Sequence, residues 1–201
     1  VSIGTSAHGT GFAANDAVAV GSLAAYSGTA TGSVVIGKRA GYIGSDKTNC
    51  VLIGFDAGRS ANVSDNVSIG YRAGYTQSSG LSNTNLGYEA GYSNSTGGQR
   101  TCIGYRAGKS NTGVSNTFIG RAAGSASSNG GTNVIVGSNS MAFAAIGSSN
   151  VAIGVQTGQS ATGNYNSLLG HQAAQYLTSG SNNTALGFEA GRNITIGGNN
   201  V

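Results

Sequence analysis

The chain has 201 residues, 36 of them Gly, with no Pro, no Trp and a formal charge of only +4. Charged residues make up 8%, about a third of the usual share, and 38% apolar content at this low charge does not favour disorder. Collagen is excluded because Gly does not fall at every third place and Pro is absent; no apolar run of about 18 residues exists for a membrane span; and ten basic residues are too dilute for a nucleic-acid surface.

In chain order the dominant feature is a repeat, and self-similarity at a fixed period decides the fold before any local reading does. A marker Gly that follows Ile, Leu or Val falls at Gly4, Gly21, Gly37, Gly54, Gly70, Gly87, Gly104, Gly120, Gly137, Gly154, Gly170 and Gly187. Every step between markers is 16 or 17 residues. Residues 1–33 are the least regular, with an Ala-rich run from Ala13 to Ala25. From Asn66 to Gly108 one phrase recurs three times, as in NVSIGYRAG, NTNLGYEAG and RTCIGYRAG. Residues 138–150 shift to small side chains around Met141 and Phe143 and are expected to hold a kink or register change. Two half-phrases, Ile146-Gly147 and Ile196-Gly197, stand ten residues after a marker and interrupt the count. Nothing marks a second domain. Val1 and Val201 lie inside repeats, and no signal-peptide pattern is present, so 1–201 is expected to be one repetitive segment of a longer fibre protein.

Columns are numbered from the marker Gly. Columns −3, −1, +1 and +3 hold Val67, Ile69, Tyr71 and Ala73 in one repeat, and Thr84, Leu86, Tyr88 and Ala90 in the next. Columns −2, 0 and +2 hold Ser68, Gly70 and Arg72, then Asn85, Gly87 and Glu89. This period of two predicts a strand of about nine residues, followed by turn-rich residues with room for a second short extended piece. Gly content of this order, which costs about 1 kcal/mol per residue against Ala inside a helix, argues against helices. The expected fold is all-β: a parallel β-roll or β-solenoid of about 12 coils, roughly 60 Å long at the strand spacing. One 16–17-residue coil encloses a thin core, so burial of its small-residue columns is expected to be completed by a symmetric oligomer. The repeated marker Gly, from Gly37 through Gly54, Gly70, Gly87, Gly104, Gly120, Gly137, Gly154 and Gly170 to Gly187, fits either close backbone approach or a positive φ.

Column +2 reads Arg39, Asp56, Arg72, Glu89, Arg106, with alternating sign, and then lapses into Ala122, Asn139, Gln156 and Gln172. Stacked in register, these residues would form an inter-coil charge ladder, each exposed pair contributing under about 1 kcal/mol. Column −4 holds Asn66, Asn83, Asn116, Asn133, Asn150, Asn166 and Asn183, whose amides can hydrogen-bond along the stack.

Catalytic constellations are sparse. His171 takes a column +1 place where other repeats have an aromatic, and His8 has no visible partner in the sequence. Asp56 and Glu89 stand two coils apart with Arg72 between, which favours the ladder over a glycosidase carboxylate pair. No Asp series supports structural calcium, and Cys50 and Cys102 have no metal-ligand spacing. Gly104 to Gly108, followed by Lys109-Ser110, has three residues between glycines where a phosphate-binding loop needs four. The expectation is no enzyme, no cofactor, no metal, no nucleic-acid partner and no membrane insertion. Column −3 mixes Thr84, Thr101, Thr117 and Thr184 with Val34, Val51, Val67, Val134 and Val151, which reads as a buried or half-buried strand position more than as an ice-binding Thr rank. Polar loops at Thr76 to Ser82, Ser93 to Gln99 and Ser125 to Gly131 are the candidates for receptor contact. The Asn94-Ser95-Thr96 sequon is expected by chance in so Asn- and Ser-rich a chain.

The phrases Asn66-Val-Ser-Ile-Gly70, Asn150-Val-Ala-Ile-Gly154 and Asn183-Thr-Ala-Leu-Gly187 resemble the head repeats of YadA-type trimeric autotransporter adhesins. The longer phrase from Ser179 to Gly191 is similar to repeat regions of bacteriophage tail fibres. The adhesin resemblance implies a left-handed parallel β-roll with three chains side by side. Together these resemblances imply an extracellular attachment fibre, a virion tail fibre first and a bacterial adhesin head second. Its partners would be two further copies of itself and a host cell-surface glycan or protein.

Overall fold

The computed structural model of the chain describes residues 1–9, 14–44, 46–60, 63–93, 96–126 and 129–201. Its regular elements are strands: β1 (Ser2–Ile3), β2 (Ala14–Asn15), β3 (Val18–Val20), β4 (Thr29–Thr31), β5 (Val34–Ile36), β6 (Asp46–Thr48), β7 (Val51–Ile53) and β8 (Val63–Ser64). They continue as β9 (Val67–Ile69), β10 (Thr84–Leu86), β11 (Thr101–Ile103), β12 (Thr117–Ile119), β13 (Val134–Val136), β14 (Val151–Ile153), β15 (Ser167–Leu169) and β16 (Thr184–Leu186). Among the described residues there is no helix, and the chain is a parallel β-solenoid. One 12-stranded sheet runs β1-β3-β5-β7-β9 and then β10 through β16, one strand per coil. A second sheet of four strands, β2-β4-β6-β8, forms the opposite wall of the first coils.

Register follows the marker Gly. Val67 pairs with Thr84, Ser68 with Asn85 and Ile69 with Leu86, and the same columns pair down the sheet. Pairing of Ser2 with Ala19 and of Val134 with Val151 carries that register through both segments that look irregular in sequence.

The strand is three residues long where the alternation predicts about nine. The backbone explains the difference. Gly70 has φ +133°, and a Cβ there would meet the Gly87 carbonyl oxygen at 2.5 Å, so the marker needs Gly both for its dihedral and for its neighbour. Two residues later Arg72 has φ 52° and Glu89 has φ 52°. A left-handed residue with a side chain costs roughly 1–2 kcal/mol and cannot continue a strand. Each coil accepts this because its corner is hydrogen-bonded to both neighbours: Arg72 N–H donates to Phe55 O at 2.9 Å, and Gly74 N–H to Ala90 O at 2.9 Å.

The corner also resets which columns point inward. Column −2 is the core column, with Val35, Leu52, Cys102, Phe118, Ile135 and Leu168 buried. Column +3 joins it through Ala73, Ala90 and Ala107. Columns −3, −1 and +1 face outward, although the sequence alternation groups them with column +3. Their members include exposed Tyr71, Leu86, Val134, Ile153 and Leu169. Two apolar core clusters result, one built on Ala19, Val35 and Leu52, the other running from Ala90 to Ala185. Between them column −2 holds buried Ser68 and Asn85, with buried Gln77 beside them.

The half-phrases are not interruptions. Gly147 and Gly197 belong to a second glycine column with Gly80, Gly97, Gly113, Gly130, Gly163 and Gly180. A Cβ at Gly80 would collide with the Gly97 carbonyl, and one at Gly130 with that of Gly147.

Candidate functional surfaces

Three surfaces carry the chemistry of this rod. The first is the corner formed by columns +1, +2 and +5. Phe55, Tyr71, Tyr88 and Tyr105 stack in column +1 with ring centroids 5.0–5.5 Å apart. In column +5, Tyr26 stacks on Tyr42 and Tyr75 on Tyr92, at 5.3 and 4.9 Å. Arg59 fills the gap between the two pairs, its guanidinium 5.3 Å from the Tyr42 ring and 5.5 Å from that of Tyr75. Arg72 bridges the two aromatic columns, over Tyr71 at 5.1 Å and Tyr75 at 5.4 Å.

The ladder residues lie between these rings. Arg39 contacts Asp56 at 2.8 Å, and Arg72 and Arg59 reach the same carboxylate at 3.7 Å. Arg106 and Lys109 contact Glu89 at 2.9 and 2.8 Å. Column +2 thus carries ion clusters on Asp56 and on Glu89, and a separate pair further along, Glu189 with Arg192 at 3.3 Å. The Asp56 and Glu89 carboxylates are buried beneath their cations, with side chains 0% and 9% exposed. Burial pushes the Glu89 carboxyl up, but hydrogen bonds and charge from Lys109 and Arg106 outweigh it and hold the group below the usual carboxylate range. Asp56 and Glu89 are thus each occupied by cations, not poised as an acid–base pair.

The second surface is the flat outer face of the 12-stranded sheet. Columns −3 and −1 present Val, Thr, Ile and Leu in straight ranks. Along one line Ile103, Ile119, Val136, Ile153, Leu169 and Leu186 pair in register. Thr84, Thr101 and Thr117 are consecutive in the other rank and half-buried. In the first line Ile119, Ile153, Leu169 and Leu186 are exposed on the single chain, and contiguous exposed apolar residues are a mark of interaction surfaces.

The third feature is internal. Each Asn of column −4 accepts from the next coil and donates across its own. Asn150 N–H donates to Asn133 Oδ1 at 2.8 Å, while Asn150 Nδ2 donates to Gly163 O at 3.0 Å. The same pattern links Asn133 to Gly147 and Asn166 to Gly180. Arg100 replaces Asn in one coil: its N–H still donates to Asn83 Oδ1 at 3.1 Å, and its buried guanidinium donates to Asn111 O. Lys47 is also fully buried, with Nζ donating to Ser27 O at 2.7 Å and Gly44 O at 3.0 Å. Burial lowers its pKa to about 8. Burial likewise raises the thiols of Cys50 and Cys102, which are interior packing groups.

The remaining sequence candidates are dispersed. His171 is exposed and stacks on Phe188 at 5.4 Å, in the aromatic column as its position implies. His8 Nδ1 bonds the Ser2 hydroxyl, and burial lowers its pKa. Among the described residues no group of three or more His, Cys, Asp or Glu could hold a metal ion, and no helix is long and apolar enough to cross a membrane. Of the polar loops, Gln77, Gly80 and Gly97 are buried, while Ser78, Ser79, Leu81 and Ser82 are exposed. Residues 94, 95, 127 and 128, including most of the sequon, lie outside the described residues.

Column +5 went unread in the sequence, although Tyr26, Tyr42, Tyr75 and Tyr92 keep the repeat's spacing. Its signal is the residue directly after GYRAG and GYEAG. Comparison with protein-family models, with curated proteins and with solved structures found no match for this chain.

Proposed function

We propose that this chain is a rigid segment of an extracellular attachment fibre in which three copies associate side by side, and that its biological role is adhesion to a host surface. The observation that carries the proposal is the flat apolar face. Leu86, Val134, Ile153, Leu169 and Leu186 are all more than a third exposed on a single chain, in ranks set by the sheet register. A second and third copy would remove those ranks from water, at roughly 25 cal/mol per Å² buried, and closed symmetry is the ordinary way to do so without open-ended polymerisation. Straight ranks on a rod suit side-by-side packing along its length. The resemblance of the longer phrase from Ser179 to Gly191 to tail-fibre repeats favours a virion fibre; the alternative is a bacterial trimeric adhesin head, whose repeats the shorter Asn-x-x-x-Gly phrases resemble.

The test is the mass in solution by light scattering or sedimentation. Three times the 19.7 kDa chain is expected. Paired changes Ile153→Lys and Leu169→Lys on the outer face should dissociate the assembly while leaving the coil's circular dichroism unchanged. A stable monomer would remove the proposal.

A second reading draws on Thr84, Thr101 and Thr117, which form a flat outward rank of hydroxyls and methyls. An ice-binding face uses such ranks. Thermal hysteresis measured at millimolar chain decides it, and its absence ends this reading.

A further inference from the structure

The corner of columns +1, +2 and +5 has a consequence beyond packing. We infer that it is a binding edge for a linear acidic polysaccharide lying along the fibre axis. The inference rests on the attachment reading above and names the chemistry of its receptor.

The first ground is charge. The sequence looks dilute, with ten basic residues in 201. The fold places eight of the ten in the three columns of this corner: Arg39, Arg72 and Arg106 in column +2, Arg59, Lys109 and Arg192 in column +5, and Lys38 and Arg121 in column +1. Of the acids in column +2, Asp56 and Glu89 lie buried beneath, whereas the side chains of Arg39, Arg59, Arg72, Arg106 and Lys109 are 24–41% exposed; Glu189, paired with Arg192 further along the stack, is 38% exposed. Solvent therefore meets the cations and not the alternation written in the sequence.

The second ground is preorganisation. Most of these cations are held between a ring and a carboxylate, as Arg106 is between Tyr105 and Glu89. A guanidinium has five N–H donors, and Arg106 gives one to Glu89 at 2.9 Å. A cation already fixed in place loses little freedom when an anion docks.

The third ground is spacing. Arg39, Arg72 and Arg106 recur on alternate coils, so the column +2 arginines repeat about every 10 Å at the parallel strand separation, with Arg59 of column +5 on the coil between the first two. Nucleic acid carries a charge about every 3.4 Å per strand, denser than the column +2 arginines. Unspecific single-strand binding also needs free aromatic faces for the bases. Here the rings stack on one another at interplanar angles of 9–12°, so their faces are already covered and only edges remain. A polysaccharide with one carboxylate or sulfate per disaccharide matches the spacing of the column +2 arginines, and its hydroxyls need only polar ring edges and backbone.

The experiment is isothermal titration of the assembled protein with a hyaluronan decasaccharide, which has one carboxylate per disaccharide. Neutral dextran and an oligothymidylate of equal charge are the controls. Hyaluronan should bind, more weakly as salt rises, and dextran should not. The triple variant Lys38→Gln, Lys109→Gln, Arg121→Gln should weaken hyaluronan binding at least tenfold while keeping the parent's mass and circular dichroism. Absent hyaluronan binding, or binding untouched by the triple variant, overturns the inference. Tighter binding of oligothymidylate overturns it in favour of nucleic acid. A trimeric mass with no hyaluronan binding sinks only this inference, whereas a monomeric mass sinks the fibre reading.

Discussion

The coils before Asn66 and the coils after it share one period and one outer sheet, yet they close by different means. In the first group the far wall is the second sheet, and its interior carries side chains such as Ala30 and Lys47. The amide position there holds Ala17, Ser33 and Cys50. In the later group the far wall has no strand among the described residues, its inward position is Gly from Gly80 to Gly197, and the amide position is Asn in every coil but that of Arg100. The difference follows from where Cβ points. In a strand, Cβ stands perpendicular to the sheet and enters the core. In the non-strand wall it would point along the stack, into the next coil's carbonyl, as it would at Gly80. Only Gly fits there, and the Asn amide then holds the wall that has lost its strand. One repeat length therefore supports two cross-sections, one filled by side chains and one tied by amides.

The largest expected contrast is at that wall. Gly147→Ala puts a Cβ 2.5 Å from Asn164 Oδ1 and against the Gly163 carbonyl, and should cost more than about 4 kcal/mol or prevent folding. Ala30→Gly at the equivalent strand place should cost only about 1–2 kcal/mol, from lost burial and added chain entropy. Urea denaturation of the two variants checks this; equal losses would erase the distinction between the regions.

The amides come next. Asn133→Ala leaves Gly147 O and the Asn150 N–H without their partner and should cost about 2–4 kcal/mol. Ser33→Ala in the first region removes the hydroxyl between Lys47 O and the Cys50 N–H and should cost about 1–3 kcal/mol. Hydrogen exchange should place the Asn133 effect in the later coils alone.

Lys47 sharpens the comparison by pH. Its folded pKa, about 8, lies below its unfolded value near 10.5, so between those values the unfolded chain binds more protons and stability rises with pH. Below about pH 8 the cost of burying the cation is fully present. Lys47→Met should flatten the stability profile between pH 8 and 10 and raise stability at pH 7. A parallel profile in the variant would contradict this account.

The smallest effect is at Glu89. Its lowered pKa means a contribution present at neutral pH and lost as pH falls through the carboxylate range. Glu89→Gln should reduce stability at pH 7 by about 1 kcal/mol or less, because Arg106 and Lys109 are partly exposed and screened. The difference from the parent should shrink as pH falls through the carboxylate range, and also in 1 M salt.

Much of the fold was legible in the sequence because the marker Gly, spaced 16 or 17 residues apart, is also the place where adjacent backbones meet. Position Gly70 required Gly twice over, and that is why the spacing could be read. The second glycine column was half-visible, through Gly147 and Gly197, but Ile146 and Ile196 made those sites look like broken markers. The strand is shorter than the alternation suggests because Tyr71 and Ala73 continue the alternation past the residue that ends the strand. Nothing in Arg72 as a residue type announces φ 52°; stacking on both sides imposes it.

The sequence alone determined the period, the all-β class and the in-register columns, since repeated residues at a fixed interval can satisfy their backbones only by stacking on one another. Only the tertiary structure decided which columns face in. Period two separates two faces without saying which is the core, and the left-handed corner at column +2 then inverts the phase. Tertiary structure also turned an alternating ladder into a cationic edge: Asp56 and Glu89 are shorter than the cations around them, so the carboxylates sit beneath while the longer side chains carry their charge outward.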